Sequence, residues 1–491
     1  MVSRIGPPRH GPPRIGIVVV AYNAATTLAQ VLDRIPPEFR ENLDAVLVSD
    51  DASSDATYLV GLGYQSADPD LPLQVIRNEH NLGYGGNQKV CYRWAIEHDL
   101  DIVVLLHGDG QYAPESLPDI VAPLVQGEAD AVFGSRIMQK GEARRGGMPL
   151  YKFVGNRILS TLQNTIAGAD LSEWHSGYRA YSVAALADVP FEANVDGFNF
   201  DTQIIVQFLE AQKRIVEVPI PTYYGDEICH VEGIPYGLGV LRDVARYRAH
   251  KMGFGTGSLA FASTTYEQKT DVDSSHGILR ARLERHGRAR VLDLGCGDGS
   301  LGAALRESGS EVVGVDLHET PGVRDRLDHF VKADLDQGLP AGLGGDVDVV
   351  VAADVFEHLR EPEALLDQLA VVLRPGVSVV TSIPNFAHWY PRLRVASGRF
   401  DYDRRGILDR THLRFFTRRS FERMLSAHDW TVRHREYIGV PFEVTDRGGR
   451  APSRWAGRLA RLDGALARAW PNLFAYQIVY ELEPPSSSST R

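Results

Sequence analysis

The chain has 491 residues, 44% of them hydrophobic and 23% charged, which is the composition of a folded soluble protein with roughly two to four domains and excludes a disordered or collagen-like chain. A net charge of −11 argues against nucleic-acid binding by the molecule as a whole. Cys91, Cys229 and Cys296 are too few and too scattered for a disulfide framework or a zinc cluster, and they fit a reducing cytosol.

The sequence contains no recognisable targeting or membrane-spanning segment. No run of about 18 apolar residues predicts a transmembrane helix, and the Pro-, Gly- and Arg-rich residues 1–13 lack the apolar centre of a secretory signal. We therefore expect a cytoplasmic protein with a disordered N-terminal tail at residues 1–13. Residues 484–491, which read PPSSSSTR, predict a second disordered tail.

The first half of the chain predicts strands that alternate with helices. Hydrophobic runs bounded by polar turns predict strands at residues 15–20, 45–49, 73–77, 102–106 and 131–134. Helical patterns fill residues 25–34, 85–98 and 114–126. This alternation is typical of an α/β fold with a mainly parallel sheet.

The second half repeats the alternation. Strands are predicted at residues 291–294, 311–315, 347–352 and 377–382, with helices at residues 300–307 and 361–373. Residues 430–439 and 473–483 predict two late strands that form an antiparallel edge. The Gly-, Ser- and Thr-rich residues 253–275 predict a linker, so we expect one domain at residues 14–252 and another at residues 276–483.

Polar clusters follow four of the strands predicted in the first half. Ligands of open α/β sheets bind at the carboxyl ends of the strands. Carboxylate and amide oxygens suit Mg²⁺ or Mn²⁺, and a divalent cation can neutralise a diphosphate leaving group. The clusters are Ala21-Tyr22-Asn23, Asp50-Asp51, His107-Gly108-Asp109-Gly110-Gln111 and Gly134-Ser135-Arg136.

The ordered motifs VVVAYN, VLVSDDASSDAT, NLGYGGNQ, VVLLHGDGQYAPE, VFGSR and SGYRAY resemble glycosyltransferase family 2, especially its dolichol-phosphate mannose synthase branch with a GT-A fold. The resemblance covers residues 14–244. It implies metal binding by a D-x-D-x-Q motif, which here reads His107-x-Asp109-x-Gln111; the imidazole is an acceptable Mn²⁺ ligand but adds no negative charge, which leaves the metal's identity open. The donor-nucleotide residues that it implies are Ala21, Tyr22, Asn23, Asp50, Asp51 and Asp109.

Four further residues of the first half are candidates for acceptor chemistry. Asp201, at a predicted helix start, is the candidate general base for transfer to a sugar hydroxyl, and a helix N-cap is the alternative interpretation. A lipid-phosphate acceptor is already anionic and needs no base. Arg136 and Arg179 would then orient it by bidentate contacts. His230 is a candidate for metal or phosphate contact, and a packing histidine is the alternative.

A glycine-rich loop opens the second half. The segment VLDLGCGDGSLG follows a predicted strand and starts a helix, and its glycines permit a tight turn and close approach of a ligand. Asp316 ends the next strand about 20 residues later, where an acidic residue can bind both ribose hydroxyls. By itself this arrangement fits NAD as well as S-adenosylmethionine (SAM).

The motif DLGCGDG resembles the first motif of class I SAM-dependent methyltransferases, because Asp293 stands where NAD-binding turns carry an apolar residue. The segment KADLDQGLP supplies Asp334, which matches the residue that holds the adenine amino group in that family. The resemblance covers residues 277–483, favours SAM over NAD and implies a Rossmann-like fold. The SAM-binding residues that we expect are Asp293, Gly295, Cys296, Gly297, Asp316, Leu317, Asp334 and Asp354.

The methyl-acceptor side is expected beyond the fourth strand. His358, in VFEHL, is the candidate base, and a purely loop-shaping role for Glu357 and His358 is the alternative. Residues 385–417 are rich in Arg and aromatic side chains, which predicts either a salt-bridged lid or a pocket for an anionic or sugar-phosphate group. The pocket residues would be His388, His412 and Arg414. No RNA-binding fold accompanies this segment.

The sequence therefore predicts a bifunctional enzyme of cell-envelope polysaccharide synthesis. One domain would transfer a sugar from a nucleotide sugar, with Mg²⁺ or Mn²⁺, to a glycan or polyprenyl-phosphate-type acceptor, and the other a methyl group from SAM to a sugar or related acceptor. Contact with a lipid-linked acceptor would be peripheral, at the inner face of the plasma membrane.

Three alternatives stay open. The two activities could be independent, or the methyltransferase could act on a carboxylate or small metabolite. The glycosyltransferase-like domain could be a non-catalytic binding or scaffolding module, for which the His107 replacement is the reason. The third alternative is an NAD-dependent sugar-modifying enzyme.

Overall fold

The computed structural model describes residues 11–139, 141–221, 233–252, 254, 275–283, 287–403, 406–440 and 454–485. These residues form two compact units, one that runs to Arg248 and one that starts at Ala249. His230, most of the predicted linker and all but a few residues of the predicted tails lie outside the described residues. The domain boundaries and the disorder of the tails stay predictions.

The first unit is an α/β fold on a seven-stranded sheet. Its strands are β1 (Ile15–Ala21), β2 (Leu43–Asp50), β3 (Leu73–Arg77), β4 (Ile102–His107), β5 (Ala131–Ser135), β6 (Arg179–Ser182) and β7 (Ile215–Pro219). Their order is β3-β2-β1-β4-β6-β5-β7, and β6 pairs antiparallel with both β4 and β5. The five predicted strands are confirmed. β6 and β7 were not predicted, because they are short and interrupted by charged residues and proline.

Helices flank this sheet. They are α1 (Leu28–Asp33), α2 (Pro37–Arg40), α3 (Thr57–Ala67), α4 (Gly83–Glu97), α5 (Leu117–Val125), α6 (Glu142–Arg145), α7 (Leu150–Ala167), α8 (Val183–Ala187), α9 (Phe200–Glu210) and α10 (Gly233–Lys251), with 3₁₀ turns at Pro114–Ser116 and Phe191–Ala193. Successive β1 residues join different core clusters, Val18 one and Ile17 and Val19 the other. Both faces of the sheet are therefore buried, as the continuous hydrophobic run of β1 predicts.

The second unit is also an α/β fold with seven strands. They are β8 (Arg290–Leu294), β9 (Glu311–Asp316), β10 (His329–Lys332), β11 (Val349–Ala353), β12 (Ser378–Pro384), β13 (Thr431–Ile438) and β14 (Gln477–Glu483). Their order is β10-β9-β8-β11-β12-β14-β13, and β14 runs antiparallel to β12 and β13. The predicted antiparallel edge is confirmed. β14 begins later than predicted, because Pro471–Phe474 form a helical turn, and the short β10 was not predicted.

The helices of the second unit are α11 (Ser275–Leu283), α12 (Ser300–Glu307), α13 (Val323–Arg326), α14 (Pro362–Val372), α15 (Trp389–Ala396), α16 (Arg418–Ala427), α17 (Arg454–Ala469) and α18 (Pro471–Phe474), with 3₁₀ turns at Leu335–Gln337 and Phe356–His358. Phe254, from the predicted linker, is buried in this unit, with its ring 4.6 Å from that of Tyr390. Within the part of the chain that the structure describes, no helix is long and apolar enough to cross a membrane.

Candidate active sites

The strand register of the first unit brings three of the predicted polar clusters to one edge. Ala21, at the end of β1, pairs with Asp50 at the end of β2, and Val20 pairs with His107 at the end of β4. Because these strands are parallel, the segments that follow them leave the sheet side by side. This edge holds the candidate site of the first unit.

Two of these segments are tied together by hydrogen bonds. The backbone N–H of Asn23 donates to Ser53 Oγ (2.8 Å), and Asn23 Oδ1 accepts from the backbone N–H of Ser54 (2.9 Å). Asn23 and Ala52 both have positive φ values of 50° and 55°, in the left-handed region that is uncommon outside glycine. Tyr22 stands beside them about half exposed. These hydrogen bonds leave the Tyr22 side chain facing solvent, where a ligand can reach it.

The paired carboxylates Asp50 and Asp51 are both buried. Asp50 Oδ2 lies 3.4 Å from Arg77 Nε, and Asp51 accepts from the backbone N–H groups of Leu82 (2.9 Å) and Gly83 (3.0 Å). Asp51 therefore anchors the start of α4 beneath the site. A contact of either carboxylate with a donor nucleoside stays a prediction.

His107 is enclosed by aromatic side chains at the end of β4. Its Nε2 lies 3.4 Å from the hydroxyl of Tyr84, and its ring packs edge-on to those of Tyr84 and Tyr112. Burial lowers the pKa of His107 below its usual value, although Asp109 and Asp201 oppose this effect. The imidazole is therefore neutral near pH 7 and keeps a lone pair.

Gly177 makes room for that imidazole. A Cβ at position 177 would stand 2.5 Å from His107 Cε1 and 2.9 Å from the Tyr84 hydroxyl. No side chain can occupy this space unless His107 or Tyr84 moves. The SGYR segment, recognised in the sequence only as part of an ordered motif, thus has a steric role at the site.

Asp109 and Gln111 follow His107 in a tight turn. Asp109 Oδ1 accepts from the backbone N–H of Gln111 (3.0 Å), and both side chains are half-buried. His107, Asp109 and Gln111 supply an imidazole nitrogen, a carboxylate and an amide oxygen. This donor set fits a divalent cation, and its mixture of nitrogen and oxygen suits Mn²⁺ better than Mg²⁺.

Asp201 lies behind His107 and is held by three side chains. Its Oδ2 accepts from the Tyr84 hydroxyl (2.9 Å), its Oδ1 accepts from Gln88 Nε2 (3.3 Å), and Arg179 Nη1 lies 3.7 Å from Oδ1. The N-cap of α9 is Asn199, so Asp201 is not the cap that the alternative interpretation expected. The structure connects Asp201 to His107 through Tyr84, a residue that sequence reasoning missed.

Arg179 and Arg136 are both buried and hold parts of the first unit together. Arg179 donates to the carbonyl oxygens of Trp174 (3.1 Å), Ser176 (2.9 Å) and Asp201 (3.1 Å). Its guanidinium carbon also lies 4.7 Å from the ring centre of Phe133. These inward contacts favour a positioning role, and contact between Arg179 and an acceptor stays a prediction.

Arg136 forms a buried ion pair with Glu173. Its Nε donates to Glu173 Oε1 (2.9 Å), its backbone N–H donates to Oε2 (2.7 Å), and Nη2 donates to the His175 carbonyl (3.1 Å). Burial alone would raise the pKa of Glu173, but Arg136 outweighs burial and holds that pKa below its usual range. Glu173 was not predicted, because a lone Glu in a loop carries no motif.

The glycine-rich loop of the second unit connects β8 to α12. Gly295, Gly297 and Gly299 all have positive φ values, between 58° and 77°. A Cβ at Gly295 would lie 2.8 Å from Val355, whereas a Cβ at Gly297 would meet no protein atom within 4 Å. Gly297 therefore borders open space, which is where a ligand can approach the backbone.

Burial raises the pKa of the Cys296 thiol, which stays protonated.

Asp316 is joined to this loop. Its Oδ2 accepts from the backbone N–H of Gly297 (2.9 Å), and Thr320 Oγ1 donates to the Gly297 carbonyl (3.1 Å). Leu317 is half exposed beside it, and Asp334 caps the 3₁₀ turn at Leu335–Gln337 through its carboxylate. The loop and the end of β9 thus form one surface, as the sequence predicts for a nucleoside site.

Asp293 lies beneath the loop, 2% exposed, and one of its carboxylate oxygens has no hydrogen-bond partner among the described residues. Burial, reinforced by repulsion from Asp316, raises its pKa to about 7. A hydrogen-bond donor of a bound ligand could satisfy this buried carboxylate oxygen.

Asp354 directly follows β11 and has a φ of 54°. Its Oδ1 accepts from Ser382 Oγ (2.7 Å) and from the amide of Gln477. Ser382 and Gln477 carried no signal in the sequence, because β12 and β14 bring them to Asp354 only in the folded sheet.

Two histidines and a glutamate meet beside Asp354. Ligand atoms of Glu357, His358 and His412 lie within 4.8 Å of one another. The rings of His358 and His412 have centroids 4.9 Å apart, and burial, followed by repulsion from His358, lowers the pKa of His412. The set can hold a divalent cation or take up a proton.

Two further residues predicted as acceptor contacts have structural partners. His388 is buried and is the N-cap of α15, since its Nδ1 accepts from the backbone N–H of Tyr390 (3.3 Å), and burial lowers its pKa to about 4. Arg414 Nε donates to the carbonyl of Arg360 (2.9 Å). Contact of either with an acceptor stays a prediction.

Each unit therefore carries a polar site at the carboxyl edge of a Rossmann-like sheet, and together these features define a two-domain transferase. Residues 16–189 match the family model of glycosyl transferase family 2, and residues 266–435 match that of a methyltransferase domain.

Relatives agree with this division. A UDP-N-acetylglucosamine–dolichyl-phosphate N-acetylglucosaminyltransferase of Methanococcus voltae is 27% identical over 43% of this chain and 86% of its own length. Glycosyltransferase AglJ of Haloferax volcanii is 30% identical over 52% of this chain and 78% of its own. A ubiquinone biosynthesis O-methyltransferase of Stutzerimonas stutzeri is 30% identical over 20% of this chain and 44% of its own.

The chain belongs to glycosyl transferase family 2 through its first unit, which has the GT-A fold, and it carries a methyltransferase domain in its second, Rossmann-like unit. It is a bifunctional glycosyltransferase and methyltransferase. The expected fold class and function are confirmed at this level.

Proposed function

We propose that the first unit transfers a sugar from a nucleotide sugar to a polyprenyl-phosphate-type or glycan acceptor. The observation that carries the proposal is the edge formed by Ala21, Asp50 and His107, on a chain of this family. The names of relatives from Methanococcus voltae and Micrococcus luteus specify dolichyl phosphate and undecaprenyl phosphate, which favours a lipid-phosphate acceptor.

His107, Asp109 and Gln111 would hold Mg²⁺ or Mn²⁺ at this edge, where the cation would neutralise the diphosphate leaving group. Tyr84 orients His107, and Asp201 orients Tyr84 through its 2.9 Å hydrogen bond. Because a phosphate acceptor is already anionic, we assign Asp201 to positioning rather than to proton abstraction. The buried Arg136–Glu173 pair supports the adjacent segment.

We propose that the second unit binds SAM. Asp316 would hold the ribose, Asp334 the adenine amino group, and the loop from Gly295 to Gly299 would lie against the rest of the ligand. SAM supplies an electrophilic methyl group when bound. His358, beside Asp354 at the end of β11, is the candidate to take the proton of an acceptor hydroxyl, and the nearby His412 and Glu357 can share that proton or a cation.

The two reactions joined in one chain are proposed to make an O-methylated saccharide. We place the enzyme in the cytoplasm, in peripheral contact with the inner face of the plasma membrane when the acceptor is lipid-linked. The replacement of a metal-motif carboxylate by His107 favours one second candidate, a methyltransferase whose first unit only binds a glycan.

A thermal-shift panel on the full chain tests this assignment. UDP-, GDP- and dTDP-sugars with and without Mn²⁺, then SAM, S-adenosylhomocysteine and NAD, are added one at a time, because a ligand stabilises the unit that binds it. Stabilisation by one class of nucleotide sugar and by SAM supports both sites. Stabilisation by SAM alone favours the second candidate, and stabilisation by NAD instead of SAM rejects the methyltransferase assignment.

Asp109→Ala should abolish metal-dependent turnover of the nucleotide sugar, and Asp316→Ala should weaken SAM binding. Intact sugar transfer in Asp109→Ala would show that the metal site is misplaced. Unchanged SAM affinity in Asp316→Ala would show the same for the ribose contact.

Gly177→Ala is expected to slow sugar transfer about tenfold and to destabilise the first unit by about 1–3 kcal/mol through overpacking. The added Cβ would stand 2.5 Å from the His107 ring, so the imidazole must leave its position against Tyr84. A tenfold slower transfer corresponds to about 1.4 kcal/mol of lost transition-state stabilisation. The matched control is Gly155→Ala in α7, where a Cβ meets nothing within 4 Å. Equal activity of the two variants would rule out the steric role of Gly177.

The stability of the SAM-binding unit is expected to fall as pH rises from about 4 to about 7. Asp293 has a folded-state pKa of about 7, above the ordinary value of 3.8, so the folded state binds more protons than the unfolded state across this interval. Its ionisation therefore destabilises the fold, by on the order of 3 kcal/mol. Urea unfolding at several pH values measures this effect. The unfolding transition of the second unit is identified as the one that added SAM moves to higher urea concentration. Asp293→Asn should flatten the pH dependence, and an unchanged slope would contradict it.

A further inference from the structure

α7 is amphipathic in the reverse of the usual sense for a helix on a folded domain. Its exposed large hydrophobic residues occupy one side of the helix at about 100° per residue. We call this set the α7 outer face: Leu150, Tyr151, Val154, Ile158 and Leu162. Apolar side chains on a surface helix ordinarily face the core, so this face has no partner among the residues of its unit that the structure describes.

The opposite side of α7 makes polar contacts with the fold. Asn156 Nδ2 donates to Glu173 Oε1 (2.7 Å), the partner of Arg136. Asn164 Oδ1 accepts from Trp174 Nε1 (2.7 Å), and the buried Ser160 Oγ accepts from the Trp174 backbone N–H (3.2 Å). Because these bonds hold the helix by its polar side, α7 cannot turn its apolar side inward without leaving buried polar groups unpaired.

The apolar surface continues onto α10. A Cβ at Gly237 would lie 3.5 Å from Leu159 of α7, so the two helices are in contact there. Ile234 and Leu238, on either side of Gly237, are 79% and 66% exposed. Tyr236 turns the other way, and its hydroxyl lies 2.8 Å from His175 Nδ1. Both helices thus contact the candidate site with polar groups and expose apolar groups.

The charges beside this surface are basic. α7 carries Lys152 and Arg157 and no acidic residue, and α6 carries Arg144 and Arg145 against one glutamate, Glu142. A chain with a net charge of −11 has concentrated positive charge here. Exposed apolar residues flanked by basic ones are typical of helices that lie in the interface of an anionic bilayer. A second copy of the chain would instead bring like charges together in a two-fold contact.

We propose that the α7 outer face, with Ile234 and Leu238, docks on the surface of an anionic membrane. The inference rests on the proposed lipid-phosphate acceptor, and it names the protein surface that would contact the membrane in which that acceptor lies. Asn156, on the polar side of the same helix, bonds to Glu173 of the Arg136–Glu173 pair, so the docking helix is tied directly to the segment that carries Arg136.

Cosedimentation of the full chain with vesicles tests the proposal. The wild-type protein should bind vesicles of phosphatidylcholine and phosphatidylglycerol, less so at high salt, and bind pure phosphatidylcholine weakly. Leu150→Glu/Ile158→Glu should lower the bound fraction by more than about tenfold, because it removes two apolar side chains that the bilayer would bury and adds two negative charges that an anionic bilayer repels.

The matched control is Leu59→Glu/Val371→Glu, which makes the same change at exposed hydrophobic positions elsewhere, 67% and 85% exposed. It should bind as the wild type does. Thermal unfolding shows that both double variants are folded. Wild-type protein that stays in solution, or equal binding by the α7 variant, overturns the proposal. A wild-type dimer that the α7 variant dissociates also overturns it, since the face would then be a subunit interface.

Sugar transfer to a water-soluble, short-chain polyprenyl phosphate separates this proposal from the proposed function. If vesicle binding persists and this transfer is absent, the docking surface stands and the acceptor class is wrong. If the α7 variant uses the soluble acceptor normally but loses activity on a long-chain acceptor in vesicles, both stand.

Discussion

Gly297→Ala is expected to weaken SAM binding about a hundredfold, a change of about 2.7 kcal/mol in binding free energy. Gly297 has a φ of 58°, and a Cβ there would meet no protein atom within 4 Å. The methyl group would therefore project into the space where a ligand approaches the loop, while the hydrogen bond to Asp316 holds the backbone in place. Isothermal titration calorimetry of the full chain with SAM measures the effect.

The control for this change is Gly376→Ala. Gly376 also has a positive φ, of 91°, and its Cβ would also meet nothing within 4 Å. Both variants introduce alanine into left-handed backbone, which costs about 1–2 kcal/mol in stability, but only position 297 borders the predicted site. We expect Gly376→Ala to bind SAM as the wild type does. Unchanged SAM affinity in Gly297→Ala would place SAM elsewhere.

Arg179→Met is expected to destabilise the first unit by about 3–5 kcal/mol. Arg179 is 1% exposed, and its removal would leave Asp201 as a buried charge and three buried carbonyl oxygens without their donor. Methionine fills a similar volume, so the loss reflects polar groups rather than a cavity. Urea unfolding measures the change. The unfolding transition of the first unit is identified as the one that an added nucleotide sugar moves to higher urea concentration.

Arg214→Met is the matched control, because Arg214 pairs with Asp130 at the surface, with its own side chain 58% exposed. Exposed ion pairs of this kind contribute about 0–1 kcal/mol, so this variant should unfold nearly as the wild type does. The transition that SAM shifts should be unchanged in both variants. A loss in Arg179→Met no larger than that in Arg214→Met would show that Arg179 does not hold Asp201.

The contacts of the buried arginines show where sequence reasoning stops. Arg136 and Arg179 were expected to meet an anionic acceptor, and the structure gives each of them partners inside the first unit. Arg136 pairs with Glu173 and Arg179 with Asp201, whereas contact of either arginine with an acceptor stays a prediction. Nothing in the local sequence distinguishes a carboxylate of the protein from one of a ligand. The strand pairing of β6, which carries Arg179, decides that.

Long-range pairs were out of reach for the same reason. Tyr84 contacts Asp201 across 117 positions of the chain, and Gln477 contacts Asp354 across 123. Neither pair has a spacing or motif that could reveal it. The first pair forms where the helices α4 and α9 pack together, and the second where the sheet order brings β14 close to the end of β11.

By itself the sequence determined the two-domain organisation, most of the strands and the two kinds of transfer. Strand runs such as that of β1 are readable because a doubly covered sheet requires continuous hydrophobic residues, and the loop from Gly295 to Gly299 is readable because its left-handed backbone favours glycine. Only the tertiary structure decided that Tyr84 links His107 to Asp201, that His388 caps a helix, and that α7 turns its apolar side outward. The orientation of a side chain depends on what the rest of the chain packs against it, and that information is not local.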